Sequence, residues 1–245
     1  MGASTPKLVV MSQQVVILAA GMGTRLSRPL PKPLTELSDG RSIMSQQLDN
    51  LKQAFGEAFR TLIVVGFKLE AIIERFPEAI FVYNELYDQT NTSKSLLKAL
   101  RASSDGGVLW MNGDVVFDPQ ILTRVMSFIE SEQSCVVVNT SKVSDEEVKY
   151  TLDDTGFIKL LSKTVVGGLG EAVGINYVSA ADKAELIKCL DAVGDQDYFE
   201  RGIEVAIESV GIKFKAVDIS DLYAIEIDFA EDLERVNNLF KGKND

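Results

Sequence analysis

Short apolar runs alternate with helix-like segments along the first half of the chain. A continuous apolar run is typical of a strand buried on both faces. Such runs lie at residues 14–20, 61–66, 79–83, 108–118 and 135–140, and the strand in the fourth run is expected to end in Gly113-Asp114. Segments with helical spacing lie between them, at residues 42–55, 69–76 and 93–102 and from Pro119 to about residue 132. This alternation predicts a mostly parallel sheet with helices on both faces.

The second half departs from that rhythm. Residues 148–161 form two alternating arms around Asp154-Thr155-Gly156, which predicts a hairpin. The remaining segments are strands at 172–178, 213–219 and 223–228 and helices at 180–193, 197–210 and 229–240. We therefore predict an α/β fold that is Rossmann-like, with three α/β/α layers, a mostly parallel mixed sheet and a small β-hairpin insertion. Residues 14–245 would form a single domain behind a loose leader, residues 1–13.

Charge and composition exclude several kinds of function. The 245-residue chain has a formal net charge of −11 and no cluster of lysine or arginine, which argues against nucleic acid as a partner. It contains no histidine, so histidine-based zinc sites, Ser-His-Asp triads and histidine general bases are excluded. Catalysis must rest on carboxylates, cations, metal ions or backbone donors.

Cysteine usage and hydropathy predict a cytoplasmic protein. Cys135 lies in an apolar run and Cys189 in a helix-like stretch, as expected of two buried free thiols in a reducing compartment. No apolar stretch is long enough to span a bilayer, and residues 1–13 lack the features of a signal peptide. We expect no membrane partner.

A glycine-containing loop follows the first strand. In a parallel sheet, ligands bind beyond the carboxyl ends of the strands, where Ala20-Gly21-Met22-Gly23-Thr24-Arg25 is expected to lie. Glycines let backbone N–H groups approach an anion, and Arg25 offers a fork suited to phosphate oxygens. Lys32 stands between two prolines that restrict its position. The spacing matches neither the P-loop nor the dinucleotide fingerprint, so a phosphate loop and a structural turn both stay open.

Four segments, in order, resemble the nucleotidyltransferase superfamily, which comprises the nucleoside-diphosphate-sugar pyrophosphorylases and their relatives. They are LAAGMGTRL with PKPL (residues 18–34), NGDVVFD (112–118), GEAVGINYVS (170–179) and YAIEIDFAEDLERV (223–236). The compact chain, the segment NTSKSLLKAL (91–100) and the ending EID resemble the small cytidylyltransferases most. That branch acts on phosphocholine, inositol phosphate or aminoethylphosphonate.

The resemblance implies roles for particular residues. Arg25 and Lys32 would grip a triphosphate, and Asp114 and Asp228 would hold Mg²⁺, which prefers carboxylates, phosphates and water as ligands. Taken singly, Asp114 could belong to a turn before a helix and Asp228 could cap the last helix. The nucleotide-binding residues would be Leu18, Ala19, Ala20, Gly21, Met22, Gly23, Thr24, Asn91 and Gly113.

The same resemblance implies the reaction. An acceptor phosphate or phosphonate oxygen would attack the α-phosphorus, and pyrophosphate would leave. The nucleophile is already ionised at neutral pH, so no general base is needed. Positioning and charge neutralisation would supply the catalysis. CTP is favoured by the resemblance alone.

The sequence identifies the acceptor less clearly than the nucleotide. Ser95, Glu171, Tyr198 and Glu200 are candidates for binding it, but each also has an ordinary interpretation. The last three could be surface or loop residues, and Ser95, like Asn91, could belong to the start of a helix. Phosphocholine enzymes place aromatic residues near the acceptor, whereas the hairpin here offers only Tyr150 and Trp110 is expected in the core. Choline recognition is therefore not favoured.

Two other functions stay open. A sugar-1-phosphate nucleotidyltransferase using UTP, GTP or dTTP would need the same chemistry. A non-catalytic nucleotide-binding regulator could keep the fold, since fold alone does not fix function. The set of Arg25, Lys32, Asp114 and Asp228 argues against the regulator. The apolar faces of the late helices could be core or the contact of a homodimer.

Overall fold

The computed structural model describes residues 12–23, 30–141 and 147–241. The predicted leader, apart from residues 12 and 13, lies outside the described residues. The strands are β1 (Gln13–Ala19), β2 (Phe59–Val65), β3 (Ile80–Tyr83), β4 (Val108–Asn112), β5 (Val115–Phe117), β6 (Cys135–Asn139), β7 (Lys149–Leu152), β8 (Ile158–Ser162), β9 (Gly170–Val178), β10 (Lys215–Asp218) and β11 (Ala224–Glu226).

The helices alternate with these strands as the sequence predicts. They are α1 (Ile43–Phe55), α2 (Leu69–Arg75), α3 (Thr92–Ala102), α4 (Gln120–Glu130), α5 (Ala180–Ala192), α6 (Phe199–Val205) and α7 (Ala230–Lys241). A short 3₁₀ helix covers Lys32–Leu34, and α6 continues into a π-helical segment, Ala206–Val210. None of the helices in the described residues combines the length and the apolar character that crossing a membrane requires.

The main sheet is mixed but mostly parallel. Its strand order is β10-β6-β9-β4-β1-β2-β3, and β9 runs antiparallel to both of its neighbours. The β7–β8 hairpin joins the sheet where β7 pairs with β9. The predicted α/β fold with a mostly parallel sheet and a hairpin insertion is confirmed.

Alternate residues of β1 point into two separate cores. Val16 and Leu18 join a core with α3, α5 and α6, whereas Val15 and Ile17 join a core with α1, α2 and α4. Because successive strand residues face opposite sides of a sheet, a continuous apolar run is needed to supply both cores. This is the physical origin of the three layers.

The strand predicted to end at Gly113-Asp114 is β4, whereas the second strand of the run at residues 108–118, β5, was not predicted. β4 ends at Asn112, and the chain then turns through Gly113 and Asp114 into β5, which pairs antiparallel with β11 in a separate two-stranded sheet. The N–H of Gly113 donates to the Leu18 carbonyl at 2.9 Å. A Cβ at Gly113 would lie 2.8 Å from that oxygen, so only glycine allows this approach.

Two helix starts can be compared with the sequence. Helix α1 lies within the predicted segment 42–55, and Ser42 caps it, since its side chain accepts from the N–H of Ser45 at 3.1 Å. Helix α3 begins at Thr92, one residue before the predicted segment 93–102, and the Asn91 side chain accepts from the N–H of Thr92 at 2.8 Å. Cys135 and Cys189 are free and buried, as predicted.

Candidate active site

A cavity of about 320 Å³ opens beyond the carboxyl ends of β1 and β4. These strands are neighbours, yet the chain proceeds from β1 toward β2 and β3 on one side and places β4 on the other. Such a reversal of strand order is where open α/β sheets bind ligands. The predicted residues that line this cavity are Leu18, Ala19, Gly21, Gly23, Lys32, Gly113, Asp114, Tyr198, Glu200 and Asp228.

Lys32 links the two aspartates for which metal binding was predicted. Its Nζ donates to Asp114 Oδ2 at 2.8 Å and to Asp228 Oδ1 at 2.5 Å. The lysine side chain is only 12% exposed, and the aspartate side chains are 24% and 29% exposed. Residues separated by 82 and 196 positions in the sequence therefore meet at one cation.

The surroundings of Lys32 keep its ammonium charged. Burial by itself lowers the pKa of Lys32, but the carboxylates of Asp114 and Asp228 outweigh that effect and raise it above the ordinary lysine value. The backbone on either side is restrained by Pro31 and by the buried Pro33. The ammonium is thus a fixed positive charge within the cavity.

Local structure orients the two aspartates. Asp114 follows β4, and its carbonyl accepts from the N–H of Ile227 at 3.0 Å, which joins the turn to the end of β11. At the start of α7, the Asp232 carboxylate accepts from the N–H groups of Asp228 and Phe229. These backbone contacts place Asp114 and Asp228 side by side.

The pair fits a magnesium site by its donor set. Two carboxylate oxygens that already share one ammonium are close enough to share one metal ion, and Mg²⁺ often binds one or two carboxylates together with substrate phosphates. Within the described residues, no group of three or more histidine, cysteine, aspartate or glutamate side chains could hold a metal ion. A metal here would complete its coordination with water or with the phosphates of a ligand.

Three glutamates, Glu147, Glu200 and Glu226, also line the cavity; we call them the glutamate wall. Burial raises the pKa of Glu200 to about 7; Lys163 opposes this shift and Glu147 adds to it. Burial and the nearby Asp114 raise the pKa of Glu226 well above its usual range, although Asn112 donates a hydrogen bond to it at 3.0 Å. The wall therefore disfavours the ionised forms of Glu200 and Glu226.

Among the described residues, Lys163 is the other cation of the lining. Its ammonium lies 4.8 Å from the centroid of the Tyr198 ring, and Tyr198 itself is 42% exposed. Such a distance is within the range of a cation–π contact. Lys163 comes from the segment after β8, so the hairpin insertion contributes to the cavity.

Some residues predicted for the site lie elsewhere. Ala20 is buried and its carbonyl accepts from Phe67, while Met22 is exposed. Asn91 caps α3, and Ser95 is buried and accepts from Asn84. Glu171 lines an adjoining cavity of about 280 Å³, which shares Glu147, Glu226 and Asp228 with the first. Thr24 and Arg25 lie outside the described residues.

Two aromatic residues considered for acceptor binding are buried, and for Trp110 this was predicted. Trp110 is fully buried and packs edge-on against Phe199, with 5.8 Å between ring centroids. Tyr150 is also buried, in the core shared with α3, α5 and α6. Neither is among the residues that line the cavity.

Sequence reasoning missed several lining residues, above all Glu226, Glu147 and Lys163. Glu226 stands two positions before Asp228 at the end of a strand, and residues two apart share a face, so its position could have been inferred. Nothing in the sequence near Glu147 or Lys163 marks them, because the folding of the hairpin over the sheet places them there.

Comparison with known proteins identifies a family. The MobA-like NTP transferase domain matches residues 15–193. The CMP-5'-(3-aminopropyl)phosphonate synthase of Streptomyces rubellomurinus is 27% identical over 242 residues, covering 88% of this chain. The bifunctional protein GlmU of Methanococcus vannielii is 27% identical over 239 residues, covering 94% of this chain. The chain spans 37% of the length of the Streptomyces protein and 54% of the Methanococcus protein.

Solved structures share the fold over almost the whole chain. The inositol-1-phosphate CTP transferase from T. maritima superposes with a TM-score of 0.77 at 18% identity, covering 94% of this chain and 96% of that one. The CTP:phosphocholine cytidylyltransferase LicC from Streptococcus pneumoniae gives 0.71 at 18% identity, covering 94% and 99%. A UDP-glucose pyrophosphorylase complexed with UDP-glucose gives 0.77 at 13% identity, covering 95% and 100%.

Proposed function

Because the chain belongs to the MobA-like NTP transferase family, we propose that it is a nucleotidyltransferase and that its substrate is CTP. It would move CMP onto a small phosphorylated or phosphonate acceptor and release pyrophosphate. The observation that carries this proposal is the contact of Lys32 with both Asp114 and Asp228 in a cavity at the switch point of the sheet. The resemblance seen in the sequence leads to the same reaction.

The chain's own residues supply the positioning for this reaction. Lys32 places a fixed positive charge where triphosphate oxygens would lie, and Gly23 adopts a positive φ of 57° beside it, which favours glycine. At Gly23 a Cβ would lie 3.2 Å from that of Lys32. Arg25, outside the described residues, is proposed as the second phosphate ligand.

Asp114 and Asp228 would hold Mg²⁺. When bound, the ion would neutralise charge on the nucleotide phosphates. Lys32 contacts both carboxylates and offsets one of their two negative charges, and its ammonium would also lie within the region that the phosphates occupy. No general base is required, because a phosphate or phosphonate nucleophile is already ionised.

The choice of CTP and of the acceptor rests on relatives. The Streptomyces protein is named as a synthase of a CMP-phosphonate, and two of the structural neighbours are CTP transferases. The UDP-glucose pyrophosphorylase favours a second candidate, a sugar-1-phosphate nucleotidyltransferase using UTP, GTP or dTTP. A non-catalytic regulator would have no need of Lys32, Asp114 and Asp228 in contact.

The cellular setting is part of the proposal. Two free, buried thiols suit a reducing compartment such as the cytoplasm. Burial raises the pKa of the Cys135 thiol to about 12, so it would stay protonated and unreactive. We keep the homodimer as a prediction for measurement by light scattering.

Pyrophosphate release with Mg²⁺ tests the reaction. CTP, UTP, GTP, ATP and dTTP would each be offered with phosphocholine, phosphoethanolamine, aminoethylphosphonate, inositol phosphate and sugar-1-phosphates. We expect a signal with CTP and a small phosphorylated or phosphonate acceptor. A signal only with UTP, GTP or dTTP and a sugar phosphate would select the second candidate. Silence throughout, with nucleotide still bound, would favour the regulator.

The Asp114→Ala variant tests the site. It should lose at least about a hundredfold in turnover while staying folded, because one of two metal-binding carboxylates is gone. Asp221→Ala is a matched control. Asp221 is exposed, forms an ion pair with Arg124 at a distance of 2.5 Å, and is not among the residues that line the cavity. Retained activity in Asp114→Ala would contradict the assignment of Asp114.

A further inference from the structure

We propose that Lys94 is a positioning residue for the acceptor. It does not itself line the cavity. It would act by fixing the segment of chain that presents Tyr198 and Glu200 to the cavity. This inference rests on the proposed function, in which those two residues are expected to bind the acceptor.

The ammonium of Lys94, in the first turn of α3, binds the end of a neighbouring helix. Its Nζ donates to the carbonyls of Leu190 at 3.1 Å, Asp191 at 3.1 Å and Val193 at 2.6 Å. The last carbonyls of a helix have no partner within the helix, and a cation beside them is favourable. The Lys94 side chain is only 12% exposed. Three hydrogen bonds from one largely buried ammonium therefore fix the place where α5 ends.

The segment that follows α5, residues 194–197, is bound to the start of α3; we call it the α5–α6 loop. The N–H of Asn91 donates to the Asp195 carbonyl at 2.8 Å. The N–H of Ser93 donates to the Asp197 carbonyl at 3.3 Å. The N–H groups at the start of a helix lack partners within the helix, and the carbonyls of the loop supply them here. The loop is thus tied to α3 through its backbone.

The α5–α6 loop leads directly into the cavity lining. Tyr198, Phe199 and Glu200 follow the loop at the start of α6, and all three line the cavity. The N–H of Phe199 donates to the Thr92 hydroxyl at 3.1 Å, and Thr92 also lines the cavity. A displacement of the loop would therefore move these side chains with it.

The Lys94 ammonium is the charged link in this arrangement. Without it, three carbonyls at the end of α5 lose a donor that they share, and hydrogen bonds to charged groups are among the stronger ones in proteins. The end of α5 and the loop after it would then open locally or settle in another position. A displacement of about 1 Å in a binding group can lower a rate by roughly a hundredfold, so a small movement is enough to affect turnover.

Two lysine variants separate positioning from stability. Lys94→Met keeps the apolar stem and removes the ammonium. Lys183→Met is the matched control, because Lys183 also joins α5 to α3 but does not line the cavity. Its Nζ donates to the Ser103 hydroxyl at 3.3 Å and to the Ser104 carbonyl at 2.6 Å, just beyond the end of α3.

Steady-state kinetics with CTP and Mg²⁺ would use phosphoethanolamine, aminoethylphosphonate, inositol phosphate and glucose 1-phosphate as acceptors. We expect Lys94→Met to raise the KM for the acceptor by roughly tenfold to a hundredfold and to change the KM for CTP by less than about twofold. Lys94→Arg keeps the charge and the N–H donors and should recover part of the loss. Lys183→Met should have wild-type values of KM for both substrates.

The single tryptophan of the chain gives a readout that needs no turnover. Trp110 is fully buried, and its ring lies edge-on to that of Phe199 with 5.8 Å between the centroids. Loss of the Lys94 ammonium should loosen Phe199 and raise the acrylamide quenching constant of Trp110 by about twofold or more. Lys183→Met should show the quenching constant of wild type.

A milder variant covers the case in which Lys94→Met does not fold. Gln196 is an exposed residue of the α5–α6 loop, and its Nε2 donates to the Gln89 carbonyl at 2.7 Å. Gln196→Ala should raise the KM for the acceptor and the quenching constant of Trp110 in the same direction, each by about twofold to fivefold.

The outcomes separate the two proposals. An equal rise of acceptor KM in Lys183→Met would overturn the positioning role, because both variants would then act through stability. An unchanged acceptor KM or an unchanged Trp110 quenching constant in folded Lys94→Met would also overturn it. Absence of turnover in wild type with every acceptor would overturn the proposed function, and Trp110 quenching would still decide whether Lys94 fixes this segment.

Discussion

Replacing Lys32 with methionine should separate the stability of this protein from its response to magnesium. Methionine keeps much of the length and apolar stem of lysine but removes the ammonium that contacts Asp114 and Asp228. In the absence of metal, the variant leaves two neighbouring carboxylates facing each other across the cavity. In wild type, the Lys32 ammonium offsets the repulsion between these two carboxylates.

The magnitude follows from the burial of the groups. An exposed ion pair is worth at most about 1 kcal/mol, whereas breaking a buried one costs about 3–5 kcal/mol. The lysine is 12% exposed and the aspartates are 24% and 29% exposed, so the cost should lie between these limits, near about 2 kcal/mol. For a protein of this size that is a fall in Tm of roughly 4–8 °C.

Magnesium should change the comparison. In wild type the ion has to displace Lys32 before it can reach the carboxylates, whereas in Lys32→Met the pair is open. A ligand at about ten times its Kd stabilises the folded state by about 1.4 kcal/mol. We therefore expect added Mg²⁺ to raise the Tm of the variant by several degrees more than that of wild type. Turnover should stay low in the variant, because the phosphate-binding charge is absent.

Thermal unfolding in EDTA and in Mg²⁺ gives the Tm of each protein, and pyrophosphate release gives its turnover. Lys98→Met is the control. Lys98 forms an ion pair with the exposed Glu85 at a distance of 2.9 Å, does not line the cavity, and its loss should change Tm little in either buffer. If Mg²⁺ stabilised wild type and Lys32→Met equally, the reasoning that Lys32 and the metal compete for one pair of carboxylates would be refuted.

Two further predictions concern Glu200 and Gly113. Burial raises the pKa of Glu200, which Lys163 and Glu147 face, from 4.5 to about 7. Between these pH values the folded state binds a proton that the unfolded state does not. The free energy of unfolding should therefore fall by up to about 3 kcal/mol as the pH rises from about 4.5 to about 7. Urea unfolding at pH 5 and pH 8 should show this loss in wild type, and Glu200→Gln should largely lack it; an equal slope in both proteins would contradict the assignment. Gly113→Ala places a Cβ 2.8 Å from the Leu18 carbonyl oxygen, so it should lower the free energy of unfolding by about 1–3 kcal/mol and reduce turnover. Urea unfolding and pyrophosphate release measure the two effects. Wild-type stability and wild-type turnover in this variant would show that the turn can shift freely.

Local pattern was enough to predict most of the fold. The apolar runs of β1, β2 and β6 supply both faces of a buried sheet, and amphipathic segments between them supply the covering helices. The second strand in the run at 108–118 was not predicted, because hydrophobicity reports that a residue is buried and not which sheet it joins. The turn at Gly113 moves β5 into a second sheet without any change in apolar character.

The candidate site was predictable only in part. Lys32 and Asp114 stand out because prolines flank the first and a strand ends before the second, and Asp228 was matched to a known pattern. The start of α3 was ambiguous, since Asn91, Thr92 and Ser93 are all capable caps, and only the structure shows that Asn91 accepts the hydrogen bond. Which of several similar groups is used depends on the surrounding packing.

The sequence by itself determined the layers, the loop after the first strand and the residue types available for catalysis in a chain without histidine. Only the tertiary structure decided that Lys32 meets both aspartates across 82 and 196 positions, and that the hairpin brings Glu147 and Lys163 to Glu200. The physical reason is the distance along the chain over which a sequence pattern determines structure. Spacing along the chain fixes which face of its own element a residue occupies, whereas meetings between distant elements follow from how their apolar faces pack.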